Sequence, residues 1–385
     1  MNKTIVMLAL SGSFLLVSAN SYSAPPVTGK PIIVQQLGKL EWPQDNPTIT
    51  PSLTQLGAND INDLHGDLSC DLIISTAGNY YEALKDAMYG RPDLGHVGLL
   101  EQRGKHSKSK VSICWSTSPS IAIQQINAEA LQFKNIKMIG RPALVMAPAT
   151  VMDTLVANGQ VDAESRRPLL SSRGNVILMR ADKVGVINTI CDLGGATRVV
   201  TPHPSLEVSA FGNFSDTLFD VANQNSFGCD ATQLFKGIFG QNSEGFDVSG
   251  FDNPYNINGV LSVFGRGTAP QGTGAKWVAS SRIMHRDIPY ALCHDEADAA
   301  VIFYHLAILY KKTLAATGCN LAIVPLGGTE DNPQPLPGNR VATLFIAKVN
   351  GHYAKDVNHV RNIIYDFFTT SPVWEQILIS HGMVR

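Results

Sequence analysis

From Cys70 onward, short apolar runs alternate with stretches of helical spacing, and that alternation restricts the chain to an α/β architecture. Leu72, Ile73 and Ile74 read as a strand, and Ser75-Thr76-Ala77-Gly78-Asn79 reads as the turn after it. Residues 80–89 then place Tyr81, Leu84 and Met88 on one helix face. The pattern repeats with a strand at 111–115, the loop Ser116-Thr117-Ser118-Pro119-Ser120 and a helix at 121–129. Further strands are expected at 136–147 (with a turn inside), 175–179, 199–200, 299–304 and 342–347. Helices are expected at 151–159, at 187–193 with Gly194-Gly195 as its stop, at 357–368, and after Ser371-Pro372. Residues 236–280 are rich in Gly and Asn and read as an irregular insertion.

The first residues carry one charge at Lys3, an apolar run over 4–17 and small residues ending at Ala24. That order is expected of a secretory signal peptide over 1–24, and the apolar run is too short for a membrane span of about 20 residues. The protein is therefore expected in the periplasm, as a monomer. Residues 25–65 are rich in Pro, Gln, Asn and Thr and read as an extended lead segment. The chain of 385 residues is long enough for two lobes with separate cores.

A net charge of −2 argues against nucleic acid as a partner. The densest basic cluster, Arg103 to Lys110, reads as a solvated loop. Six cysteines, at 70, 114, 191, 229, 293 and 319, allow 15 complete pairings. One or two bridges are expected, unassigned; none forms a C-x-x-C pair, and no metal site is signalled. No P-loop, Gly-x-Gly-x-x-Gly or Gly-x-Ser-x-Gly motif is present, so no cofactor is expected.

Three strand-to-helix loops share a hydroxyl-rich composition free of carboxylates, Lys and Arg: 75–79, 116–120 and Thr201-Pro202-His203-Pro204-Ser205. Hydroxyls and free N–H groups at helix starts suit an oxyanion, although Ser and Thr also cap helices with no ligand involved. Met284-His285-Arg286-Asp287-Ile288-Pro289 adds a cationic pair at an expected helix start. Arg286 can grip a carboxylate or oxyanion, or pair with Asp287; His285 can donate to a ligand, or sit in the core. His294, Asp295, Glu296 and Asp298 read as a solvated turn. An exported hydrolase using His285 or His203 with a neighbouring serine is the alternative reading; Asp153, Ser205 and Glu207 offer parts for it, but no Ser–His–acid set stands out.

The order of these segments from Cys70 to the C-terminus resembles periplasmic substrate-binding proteins of ABC transporters, in the two-lobed class that includes the molybdate and tungstate binders. Carrying the resemblance are residues 71–79, 115–126, 147–159, 166–178, 296–304 and 367–383. It implies the type 2 fold: two Rossmann-like lobes with mixed, mostly parallel sheets, joined by a hinge. The lobes would be 66–174 plus 342–385, and 175–341. A small anion would lie between them and pass to an ABC transporter membrane permease, or serve a sensor of the same fold, with no catalysis. Carried over by position, Ser75, Thr76, Asn79, Ser118 and Ser120 would bind from lobe one. Thr201, Ser205, Val208, Ser209, His285, Arg286 and Tyr304 would bind from lobe two. The His285-Arg286 pair departs from the neutral donors of molybdate binders and would favour a carboxylate or phosphate-type anion.

Overall fold

The computed structural model describes residues 64–67, 70–106, 111–116, 126–127, 129–133, 136–195, 197–202, 208–223, 228–239, 277–279 and 284–385. The expected signal peptide, the lead segment up to residue 63, most of the helix expected at 121–129, and insertion residues 240–276 lie outside the described residues. The chain runs β1 (Leu64–Gly66), β2 (Leu72–Ser75), α1 (Tyr81–Tyr89), α2 (Leu99–His106), β3 (Ile113–Ser116), β4 (Leu144–Pro148), α3 (Ala149–Ala157) and β5 (Arg167–Ser172). It continues through β6 (Asn175–Arg180), β7 (Val199–Thr201), α4 (Val208–Asn223), α5 (Ala231–Phe239), β8 (Trp277–Ala279), α6 (Met284–Cys293), β9 (Ala299–Phe303), α7 (Tyr304–Ala315) and β10 (Leu321–Pro325). It closes with β11 (Thr343–Lys348), α8 (Lys355–Thr370), α9 (Pro372–Ser380) and β12 (Met383–Val384).

Two compact units result. Among the described residues, one takes 64–169 and 344–377, and the other 170–343 and 378–385. In the first unit the sheet order is β1-β3-β2-β4-β11. β2 is parallel to both neighbours, while β1 and β11 flank that parallel trio, each antiparallel to the strand it pairs with. In the second unit the order is β8-β7-β9-β6-β10. β7 is parallel to β8 and β9, and β6 runs antiparallel to β9 and β10. Both units are therefore α/β with mixed sheets, built on one plan: a central strand, its successor on one side, and the next parallel strand on the other. The fourth strand is antiparallel in each case, β11 in the first unit and β6 in the second.

Alternation along the strands explains the layering. In β6, Ile177 and Met179 join one core cluster with Phe211, Phe214 and Leu218 of α4 and Leu234 and Phe235 of α5. Val176 and Leu178 point the other way, into a cluster with Ile288, Ala291 and Leu292 of α6 and Leu306, Tyr310 and Leu314 of α7. A strand covered on both faces reads as a continuous apolar run, as Val176-Ile177-Leu178-Met179 does. Each such side chain contributes about 1.5–3 kcal/mol by leaving water. In the first unit, Ile73, Cys114, Val145 and Ala147 pack on Met152 and Leu155 of α3.

Several expectations are corrected. Residues 187–193 form no α-helix; a 3₁₀ segment covers Ile190–Gly194. The Asp192 carboxylate accepts the N–H groups of Asn188 and Thr189 at 2.9 and 2.8 Å, which closes a tight turn in place of a helical one. The insertion is shorter than 236–280, because α5 extends to Phe239 and Trp277–Ala279 pairs with β7. Leu64–Gly66, at the end of the lead segment, pairs antiparallel with β3. Residues 378–385 belong to the second unit: Met383 and Val384 pair with Ser172 and Ser171. Gly382, at φ +72, packs so tightly on Tyr304 that a Cβ would stand 2.9 Å from its ring.

The cysteines depart furthest from expectation. All six pair, as Cys70–Cys114, Cys191–Cys229 and Cys293–Cys319, each bridge lying inside one unit. Cys70 and Cys114 are buried as a free thiol would be, but they stand on neighbouring chain segments with Cα atoms 5.6 Å apart. None of the described helices is long and apolar enough to cross a membrane.

Candidate functional site

In an open α/β sheet, a ligand collects beyond the carboxyl ends of parallel strands, where successive strands depart to opposite sides. Each unit has one such point. In the first it lies at the ends of β2 and β4, with β3 alongside; in the second it lies at the ends of β7 and β9, with β8 alongside. Ser75, Thr76 and Asn79 stand at the first point. Thr201, Val208, Ser209, His285, Arg286 and Tyr304 stand at the second, because α4, α6 and α7 all begin at that edge.

Ser75 and Thr76 are both buried. The Thr76 N–H and hydroxyl donate to the same carbonyl, that of Ser116, at 2.8 and 2.9 Å. A threonine has one hydroxyl proton and an anion accepts only donors, so Thr76 holds β2 to β3 and has no side-chain donor left for a ligand. Asn79 sits in the 3₁₀ turn Gly78–Tyr80 that leads into α1. Neither that turn nor α1 has a side-chain cap at its start. Burial pushes the Tyr80 phenol well above its ordinary range, so it stays a neutral group. Ser118 and Ser120 lie outside the described residues.

In the second unit, the Thr201 hydroxyl donates to the Pro202 carbonyl at 2.8 Å and accepts the Trp277 indole N–H at 2.7 Å. Its proton too is committed. Val208 and Ser209 open α4, a helix of 16 residues with no acidic residue in its first turn. His285 and Arg286 are the second and third residues of α6. Pro289, inside α6, has no N–H, so the His285 carbonyl lacks its helical donor. Cys293–Cys319 fixes the far end of α6 just before β10. Tyr304 is the first residue of α7 rather than the last of a strand, and its N–H donates to Gly174 at 3.0 Å. Desolvation by burial raises its phenol pKa against a lowering by Arg173. Ser205 and His203 lie outside the described residues.

The groups weighed as catalytic or metal-binding have other work. Asp153 forms an ion pair with Arg166. Asp298 is buried, not solvated: it accepts the Arg198 N–H at 2.8 Å and lies 3.4 Å from Lys183. No cluster of His, Cys, Asp and Glu suited to a metal ion occurs among the described residues.

Sequence reasoning overlooked a buried amide network beside Tyr304. Asn339 Oδ1 accepts the Asn175 N–H at 2.7 Å, and Asn339 Nδ2 donates to the Asn175 carbonyl at 2.9 Å. Asn175 Nδ2 in turn donates to Asn213 and Thr217 of α4, both at 2.8 Å. This ties the start of β6 to the helix that opens at Val208. Its only trace in the sequence is a polar residue placed ahead of an apolar strand.

No family model and no curated protein matches the sequence. Among solved structures, the chain is similar to the periplasmic molybdate-binding protein of Azotobacter vinelandii, at 14% identity over 82% of this chain and 99% of that one, with a TM-score of 0.44. It is similar to the sulfate-binding protein SubI of Mycobacterium tuberculosis H37Rv, at 13% identity over 81% and 85% of the two chains, with a TM-score of 0.44. It is also similar to PEB3, a Campylobacter jejuni protein, with L-phospholactate bound, at 12% identity over 82% and 99%, with a TM-score of 0.41. Periplasmic and ABC-transporter substrate-binding proteins are thus among its structural neighbours.

Proposed function

We propose that the protein is an exported solute-binding protein that takes a small anion and delivers it to the membrane permease of an ABC transporter, without acting on it chemically. The observation that carries this reading is the plan built twice. Each unit has a strand reversal, and a carboxylate-free, hydroxyl-bearing segment follows its central strand, at Ser75–Asn79 in one and from Thr201 in the other. Helix-start N–H groups of α4 and α6 favour negative charge there, and the cationic pair His285-Arg286 opens α6. Full pairing of the cysteines suits an oxidising compartment outside the cytoplasm, in keeping with a signal peptide at 1–24 and a periplasmic destination.

With Thr76 and Thr201 committed, the ligand donors of this reading are Ser75, Asn79, backbone N–H groups at helix starts, Arg286 and the Tyr304 phenol. Ser118, Ser120, Ser205 and Ser209 extend the same set by position. The test is a thermal-shift screen with molybdate, sulfate, phosphate and small carboxylates. Binding at a hundredfold excess over Kd stabilises by about 2.7 kcal/mol. Arg286→Ala is expected to weaken the bound anion by about 1.5–3 kcal/mol. A panel in which no anion moves the melting temperature overturns the reading.

A further inference from the structure

We propose that Arg173 is a charged ligand-binding residue of the second unit, gripping an oxyanion beside the phenol of Tyr304. The inference rests on the anion-binding reading above and adds a residue to it. Arg173 and Gly174 form the turn that leads into β6. Asn175, the first residue of β6, pairs with Phe303, the last residue of β9, so the turn lies at the edge where α7 begins. The Tyr304 N–H bonded to the Gly174 carbonyl at 3.0 Å joins the two directly.

The guanidinium of Arg173 is conspicuously under-used. It makes one hydrogen bond, at 3.3 Å, to the neutral side-chain oxygen of Asn332. No carboxylate lies within ion-pair distance of it among the described residues, whereas Arg91, Arg166, Arg180, Arg198 and Arg340 all have one. Arg173 is half-buried as a residue while its guanidinium reaches solvent at the Asn332 contact, and a guanidinium held there with most of its donors unmet is a place for an anion. The Tyr304 phenol is the second open donor: the residue is buried, and its hydroxyl makes no hydrogen bond among the described residues. Glu330 and Asp331 also act on that phenol and raise its pKa, but Glu330 is itself engaged by Lys311.

The turn is also held rigidly. Gly174 has φ +75, and a Cβ there would come within 2.9–3.0 Å of the Asn339 amide. The paired hydrogen bonds between Asn339 and Asn175 then fix the backbone on the next residue. A fork of parallel N–H donors on a fixed backbone selects a ligand with two adjacent oxygens, an oxyanion or a carboxylate, over a halide.

The experiment measures Kd by calorimetry for sulfate, molybdate, phosphate, acetate and chloride with the full mature chain and with Arg173→Gln, Arg173→Lys and Tyr304→Phe. For the oxyanion or carboxylate that binds, R173Q is expected to lose about 10–100-fold in affinity, the range of a charge-assisted hydrogen bond. R173K keeps the charge without the fork and should fall between, and its melting temperature checks the fold if R173Q does not fold. An anion bound by the parent chain and held equally by R173Q (or by R173K alone, if R173Q does not fold) overturns this inference and leaves the broader reading standing. A parent chain that binds none of the five anions overturns both.

Discussion

The indole N–H of Trp277 donates to the hydroxyl of Thr201, and the two residues stand on neighbouring parallel strands. Both are buried, so the bond is shielded from water and has no ready substitute. Thr201→Val keeps the shape and removes the acceptor, leaving a buried indole N–H unmet. A loss of about 1–3 kcal/mol is expected in urea unfolding. Thr201→Val with Trp277→Phe should lose less than the sum of the single changes, because no orphaned donor remains. Additive losses would show that the bond carries no energy of its own.

Asp298 is held by Arg198 in two ways, through the backbone N–H at 2.8 Å and through the guanidinium at 3.2 Å. Burial opposes its ionisation, yet the hydrogen bonds from Arg198 and the charges of Arg198 and Lys183 outweigh it, and its pKa lies below the ordinary 3.8. A carboxyl with a depressed folded pKa contributes stability above its unfolded pKa and loses it as pH falls through the folded one. Asp298→Asn should therefore cost stability at pH 7 and flatten the loss of stability below about pH 4. Parallel acid limbs for the two proteins would contradict the assignment.

The α/β class and the strand-to-helix loops were legible because short apolar runs such as 72–74 and 176–179, bounded by turn residues, suit strands covered on both faces. The placement of His285-Arg286 at a helix start was legible for the same reason, since a polar run precedes Ile288 and the apolar face that follows. What escaped was long-range. Thr76 and Thr201 look like ligand hydroxyls in sequence, yet Thr76 donates to a carbonyl 40 residues away, and Thr201 donates to its neighbour Pro202 while accepting from Trp277, 76 residues away. β8 is three residues long, too short for any periodicity, and exists because Val199–Thr201 offers an edge. Disulfide pairing has no local signal at all, which is why the expected number of bridges fell short of three.

Asp216 shows the opposite electrostatics to Asp298. Burial pushes its pKa up to about 6, opposed by Arg340 and reinforced by Asp220 one turn along α4. Arg340 places its closest donor on Asp220, at 2.7 Å, and stands 3.5 Å from Asp216, whose second oxygen has no hydrogen bond. The folded state therefore binds a proton more tightly than the unfolded state, and stability rises as pH falls from about 6 toward 4. Asp216→Asn removes a costly charge, so it should raise the melting temperature at pH 8 and abolish that rise between pH 6 and 4. A variant less stable than the parent at pH 8 would mean that the pair with Arg340 outweighs desolvation.

The Cys293–Cys319 bridge joins the end of α6 to the residues just before β10, across 26 positions. Replacing both cysteines by serine should cost about 2–4 kcal/mol, chiefly by freeing the unfolded chain. Urea midpoints of the oxidised parent and the variant measure it directly. Consequences for binding follow from the helix itself. α6 carries His285 and Arg286 at its other end, and Pro289 has already removed one of its internal hydrogen bonds. Without the bridge, the register of α6 rests on Ile288, Ala291 and Leu292 against the sheet. Anion affinity should then fall together with stability in the serine variant, while Cys191→Ser/Cys229→Ser, whose bridge ties the 3₁₀ segment to the start of α5, should lower stability and spare affinity. Equal losses of affinity in both variants would show that α6 is not the element the bridge positions.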